Sequence, residues 1–394
     1  MGKNAVFVSG MGCFCSAGKN VNEAAANMYK GQRNPVSPSV FKTGLDKTYP
    51  VFEANFDKDS FPDNHTRTSC LASMAVEEAL KQAMLNPDSF DPERIGVCLG
   101  TTVGCTLNNE PFYRAYRAGD NPDSGAINKY LTNNPACFIA EKYGLEGPVA
   151  TIANACSSGT DAVGVAKRWI EDGLCDIVIA GGADELSRIT YLGFISLLIA
   201  SSEPCRPFDK NRSGLNLGEG AGVLIVESAG SIRKRSAEIM AEVAGYASYS
   251  DAYHPTAPHP DGRGLKRALK TILSEGKIDI ADVGMINTHG TSTPENDRVE
   301  GSGIASVFGE KVNIVSTKSY TGHTLGASGG LEAVFTVKSL IDQKIPATAG
   351  FLESDAECKI SPSKTIIELD TEIGISNSLA FGGNNSSLIF RRRK

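Results

Sequence analysis

Along the chain, short runs of Val, Ile, Ala and Gly alternate with longer segments of helical composition: "NAVFVSG" (4–10), "IGVCLGTT" (95–102), "PVATIANA" (148–155), "CDIVIAGG" (175–182), "GVLIVESA" (222–229), "MINTHG" (285–290), "VNIVSTKS" (312–319) and "NNSSLIF" (384–390). Short apolar runs interleaved with helices predict an α/β architecture whose strands are buried. The pattern also echoes itself. "PVATIANACSSGTDAVGVAKRW" passes from an apolar strand through a reactive residue into a small-residue helix, and "VNIVSTKSYTGHTLGASGGLEAVFTVK" repeats that order with His323 near the place of Cys156. Two halves of similar topology are expected, 1–238 and 239–394, fused into one body because no low-complexity linker separates them.

Composition narrows the class. A chain of 394 residues with 41% hydrophobic and 21% charged residues is globular and long enough for two substantial cores. It contains no run of eighteen apolar residues, and "MGKNAVFVSGMG" lacks the basic and apolar regions of a secretory signal, so a soluble, cytoplasmic protein without membrane contact is expected. The ten cysteines are scattered without CxxC pairs, which fits reduced thiols in a bacterial-type cytosol rather than a disulfide framework. A formal charge of −6 argues against bulk nucleic-acid binding.

The candidate chemistry begins at Cys156, which closes an apolar run and opens a segment of small residues, Ala155, Ser157, Ser158 and Gly159. Small neighbours permit a tight turn and close substrate approach. A cysteine at a helix start is expected to have a depressed pKa and to alkylate selectively; the competing reading is a buried structural thiol. Two of the five histidines sit in Gly/Ser/Thr-rich turns after apolar runs, His289 in "NTHGTSTPENDRVE" and His323 in "STKSYTGHTLGASGG", as ligand-facing residues do at strand carboxyl ends. Lys318 adds a cation that can tune or orient the pair. The Gly-Gly turn of "NSLAFGGNNSSLIF" can leave backbone N–H groups free for an oxyanion, or be a simple hairpin.

In that order and spacing, "VFVSGMGCFCSAG", "ACSSG", "RPFDKNRSGLNLGEGAG", "NTHGTSTPEND", "TKSYTGHTLGASGG" and "NSLAFGGNNSSLIF" resemble the β-ketoacyl-acyl carrier protein synthases, the elongating condensing enzymes of type II fatty acid and polyketide synthesis, across nearly the whole chain. The resemblance implies a thiolase-type fold, five layers αβαβα in two pseudo-repeated halves. It implies Cys156 as acyl-accepting nucleophile, His289 and His323 as the decarboxylation and condensation pair, Lys318 as their supporting lysine and Phe381 as oxyanion donor and gate. Thr291 and Thr293 match the hydroxyls on the phosphopantetheine arm, with turn capping as the bland reading. Val103 falls where relatives set the depth of the acyl pocket, and Asp297 and Glu332 are read as buried support for the histidine loops.

The implied reaction is decarboxylative condensation of an acyl thioester with malonyl carrier in fatty acid elongation. The alternative is a specialised ketosynthase for an aryl polyene or polyketide. No cofactor and no metal are implied beyond the carrier's own phosphopantetheine arm. The implied partner is an acyl carrier protein, faced by Arg206 and Lys210 unless these are solvated surface. The implied assembly is a homodimer, or else a heterodimer with a related subunit. "GGNN" replaces the usual Gly-Gly-Thr-Asn, and "NHTRTSC" offers Arg67 without a dense basic cluster, so the docking face is expected to differ from housekeeping relatives. A thiolase would need a second cysteine where Phe381 stands, and a non-catalytic chain-length factor would lack the nucleophile. A metal site at His254 and His259 of "YHPTAPHPDG" lacks further ligands.

Overall fold

The computed structural model describes residues 5–55, 65–104, 106–132 and 134–393, the side chains of residues 130 and 132 apart; Cys105 lies outside the described residues. Ten strands carry the architecture: β1 Val6–Cys15, β2 Ile95–Gly100, β3 Val149–Ile152, β4 Ile177–Asp184, β5 Gly220–Ser228, β6 Ala241–Ser250, β7 Val283–Asn287, β8 Ile314–Val315, β9 Ile373–Ala380 and β10 Asn384–Arg392. They run in the order β3-β2-β4-β5-β1 in the first half and, continuing across the β1–β6 seam, β6-β10-β9-β7-β8 in the second. Each half has the same pairing senses: parallel for β2 with β3 and β4, and for β7 with β8 and β9; antiparallel for β4–β5, β5–β1, β9–β10 and β10–β6. The second half is thus the first repeated about the seam, where only Phe7↔Glu242 and Val8↔Ala241 are paired.

The strands read as continuous apolar runs because helices cover both faces. On β4, Ile177 and Ile179 pack outward against α1 (Arg67–Gln82), whereas Val178 and Ala180 face a central layer. That layer holds α2 (Ser158–Glu171) and, from the other half, its equivalent α5 (Ser328–Asp342); earlier in that half come α3 (Arg263–Gly276) and α4 (Pro294–Phe308). Leu265, Ala268, Leu269, Ile272 and Leu273 form the i, i+3, i+4, i+7 stripe by which α3 covers the outer face of the second sheet. The order helix, sheet, central helices, sheet, helix is the five-layered thiolase-type arrangement.

The two central helices touch through backbone. A Cβ added at Gly159 of α2 would stand 2.6 Å from the amide nitrogen of Gly330 on α5, and one at Gly330 would stand 2.3 Å from the carbonyl oxygen of Gly222 on β5. No side chain fits such a gap, so the N-termini of both helices are held at one place. The nine described cysteines are free thiols, and among the described residues no helix is long and apolar enough to cross a membrane.

Candidate active site

Cys156 lies in the single turn Ala155–Ser157 that leads from β3 into α2. Ala155 turns the chain with φ of 48°, a left-handed conformation unfavourable to a residue with a Cβ, and this aims the cysteine at the helix start. The second half repeats the device: Leu325, with φ of 52°, opens the turn Leu325–Ala327 before α5. The residue equivalent to Cys156 is therefore Gly326, and His323 stands three positions upstream of it rather than in its place.

His323 Nε2 is 3.1 Å from Cys156 Sγ, and its Nδ1 is 3.0 Å from Ser328 Oγ at the head of α5. The His289 ring meets the His323 ring edge-on with centroids 5.1 Å apart. Behind them, Lys318 Nζ lies 3.1 Å from His289 Nδ1 and is ion-paired with Glu332, both members of that pair being 2% exposed. An ammonium donates, so it fixes the His289 tautomer that carries its proton on Nε2, towards the cavity. Cys156, His289, His323, Lys318 and Glu332 are thus one contiguous cluster, with Lys318 touching His289 and not His323.

Burial sets the charge states. It lowers both imidazoles well below their ordinary 6.5, with the Lys318 charge pushing the same way, so both are neutral at pH 7. Burial raises the Glu332 carboxyl to about 7, while Lys318 pulls it back. Burial also pushes the Cys156 thiol up to about 11, outweighing Lys318 and the backbone N–H groups of Phe381 and Cys156 that favour the thiolate. This corrects the expectation of a depressed value: a helix start and a cation do not compensate for removing a thiolate from water. The resting pair is thiol and neutral imidazole. Iodoacetamide labelling of Cys156 should therefore climb continuously from pH 7 to pH 9.5, with the half-buried Cys137 labelled alongside it. A labelling plateau reached below pH 8 would contradict the neutral pair.

The remaining predicted residues take distinct places. Thr291 and Thr293 line the cavity over Cys156, of about 290 Å³, and their hydroxyls are 2.9 Å apart. Phe381 stacks on Phe194 at 5.7 Å and 13°, and Phe194 meets His323 edge-on at 6.5 Å. Asp297 accepts from the amides of Ser292 (3.1 Å) and Phe208 (2.7 Å), which ties down the loop after His289. Val103 does not line this cavity. It packs behind Phe194 in an apolar cluster with Leu186, Tyr191, Leu215 and Leu325. Arg206 stands beside Arg33, next to Gly350, and Lys210 is paired with Glu353 at 2.7 Å. In the Pro-rich loop His254 Nδ1 accepts from the Thr256 and Ala257 amides, and Thr256–Pro258 form a wall of the cavity.

Two residues escape the motif reading, and a third is marked there only as a departure. Glu300 accepts from the amides of His289 (2.7 Å) and Gly290 (2.8 Å). It sits one helical turn after Asp297 on the same buried face of α4, a spacing that marks it. Asp184, at the carboxyl end of β4, accepts from Thr101 Oγ1 (2.7 Å) and from the amides of Thr102 (2.7 Å) and Gly326 (2.7 Å), joining the two halves behind the site. Asn384, the departure in "GGNN", donates to Asn154 Oδ1 at 2.6 Å, two residues before the cysteine.

Residues 3–230 match the family model of the β-ketoacyl synthase N-terminal domain and residues 240–352 that of its C-terminal domain. The chain is 33% identical over 411 residues to 3-oxoacyl-[acyl-carrier-protein] synthase 2 of Staphylococcus aureus (strain COL), covering 98% of each. Among solved structures it is similar to the ishigamide ketosynthase/chain length factor, with a TM-score of 0.94, 30% identity and full coverage of both chains. It is also similar to a type II polyketide acyl carrier protein complexed with its ketosynthase bound to the hexaketide, with a TM-score of 0.91, 28% identity and 99% coverage of each chain.

Proposed function

The chain belongs to the β-ketoacyl synthase family, condensing enzymes of the acyltransferase class, and from that premise we propose that it extends acyl thioesters by decarboxylative condensation with malonyl-acyl carrier protein, in fatty acid chain elongation. The observation that carries the reading is the 3.1 Å approach of His323 Nε2 to Cys156 Sγ beside a second neutral imidazole anchored by Lys318.

In the loading step, Cys156 Sγ attacks the thioester carbonyl while its proton passes to His323 Nε2, and the carrier thiol leaves with a proton. Thioester is exchanged for thioester, so the acyl group stays activated. The N–H groups of Cys156 and Phe381 are directed at the sulfur and serve the oxyanion that forms beside it. Malonyl carrier then loses carbon dioxide. The electron pair of the broken bond becomes an enolate, whose oxygen accepts from His289 Nε2–H and His323 Nε2–H. His323 works as acceptor in the first step and donor in the second, and Ser328 Oγ supports either tautomer because a hydroxyl both gives and accepts. The enolate carbon attacks the acyl-cysteine, and the departing sulfur is protonated through His323 by one proton from solvent, the proton that the overall condensation consumes.

Neutral histidines suit this chemistry: an imidazolium beside the thiol would not accept its proton. A second reading, a specialised ketosynthase paired with a related subunit, is favoured by the ishigamide ketosynthase/chain length factor likeness. The test is purified protein with acyl carriers of graded length and unsaturation plus malonyl carrier, read by mass spectrometry, with native mass spectrometry of the same sample for its assembly. We expect saturated acyl donors to be elongated by two carbons by a homodimer. No product from any donor defeats the proposal; polyunsaturated or aryl donors alone, or activity only with an added partner chain, select the second reading.

A further inference from the structure

On the outer face of α3, Arg263, Lys266, Arg267 and Lys270 occupy positions i, i+3, i+4 and i+7 and so form one stripe opposite the buried Leu265–Leu269 face. None of these four has a carboxylate partner among the described residues; Arg267 lies over the Tyr249 ring at 4.3 Å, and a groove beside the stripe runs to Arg168. Like charges three and four residues apart oppose helix formation, so the stripe does not serve the helix that carries it. It also reverses the sign of the molecule, whose formal charge is −6.

The stripe starts at the catalytic cavity. Asp251 lines that cavity, and α3 is fastened to it: the Gly264 amide donates to Asp251 Oδ1 at 3.1 Å and the Arg263 guanidinium to the Asp251 carbonyl oxygen. From Arg263 to Lys270 the cations extend about 10 Å along the helix, away from the mouth. The walls of the mouth, Thr256–Pro258, lie in the loop immediately before α3.

We infer that the Arg263–Lys270 stripe is the docking surface for an acidic acyl carrier protein, holding the carrier body beside the mouth while its arm enters the cavity. The inference rests on the carrier-dependent reading above. A basic row without carboxylate partners, continuous with the cavity, matches an acidic partner in charge, and such rim charges act mainly through association rate and salt dependence. Lys210, already paired with Glu353, has less charge to offer.

The test measures binding of a fluorescently labelled, acidic holo-acyl carrier protein by anisotropy, which needs no turnover, beside KM for malonyl-coenzyme A as a small thioester. Lys266→Glu/Lys270→Glu is compared with Lys30→Glu/Lys81→Glu, exposed lysines elsewhere that give the same change in net charge. The stripe variant is expected to weaken carrier binding about tenfold or more and to flatten its salt dependence, with the control variant and the small-thioester KM within twofold of the parent. Unchanged carrier binding, equal losses in both variants, or a coenzyme A KM rising in step would each overturn the assignment. A parent that binds the carrier through the stripe but makes no product would instead count against the proposed reaction.

Discussion

Cys156→Ala should abolish acyl-enzyme formation and reduce condensation by a thousandfold or more, on the order of the loss expected when a covalent nucleophile is removed, while carbon dioxide release from malonyl carrier persists. Decarboxylation needs the two imidazoles and not the thiol. His289→Ala should do the reverse: its ring is the one held by Lys318, whereas the imidazole within hydrogen-bond reach of Sγ is that of His323, so loading stays within a few-fold. Decarboxylation falls about a hundredfold or more, the usual effect of one lost oxyanion donor. His323→Ala should impair both steps, because the same Nε2 takes the thiol proton and later donates to the enolate. Intact-mass measurement of the acyl-enzyme alongside carbon dioxide release separates the three variants. A His289→Ala protein that fails to load yet decarboxylates fully would reverse the roles of the two histidines.

Lys318→Met should cost both activity and stability. It leaves Glu332 buried without its partner, and removing one member of a buried ion pair typically costs about 3–5 kcal/mol. The pH dependence has a definite sign. The Glu332 carboxyl already sits near 7, above its unfolded 4.5, because burial opposes its charge, and losing Lys318 raises it further. A carboxyl raised in the folded state favours folding when protonated, so the variant should be closest to the parent near pH 5 and fall behind as pH rises through 7 and beyond. Adding Glu332→Gln should restore much of the thermal midpoint but not decarboxylation, since nothing then anchors His289 Nδ1. Full recovery of decarboxylation in the double variant would reduce Lys318 to a structural partner of Glu332.

Eight of the ten strands and the residues of the reactive cluster were legible in the local pattern, because a strand end followed by small residues is a local signal. Cys156, His289, Lys318 and His323 each lie in such a segment. What local pattern does not carry is tertiary. The repeat placed His323 near Cys156, whereas the matching left-handed residues Ala155 and Leu325 make Gly326 the counterpart. The thiol was expected to be acidic from its helix start, but burial, which depends on both halves closing over it, dominates. Glu300 and Asp184 act on backbone amides of loops distant in sequence, and an amide leaves no mark in the side-chain pattern. Val103, read as setting the depth of an acyl pocket, lies outside the cavity over Cys156 and packs in a cluster with Phe194, which lines it.

The bare contact between Gly159 and Gly330 has a bearing on how this enzyme can diversify. With the two central helices in backbone contact, the distance between nucleophile and imidazole is set beneath the site by atoms that no substitution can trim. Any enlargement at that point drives the halves apart. New acyl preferences must therefore arise in the segments that overlie the cavity, around Phe194–Ile199 and Thr256–Pro258. Descent with altered substrate choice and retained chemistry is the course this geometry leaves open, and directed evolution of the chain gains most by randomising the roof and leaving the floor alone.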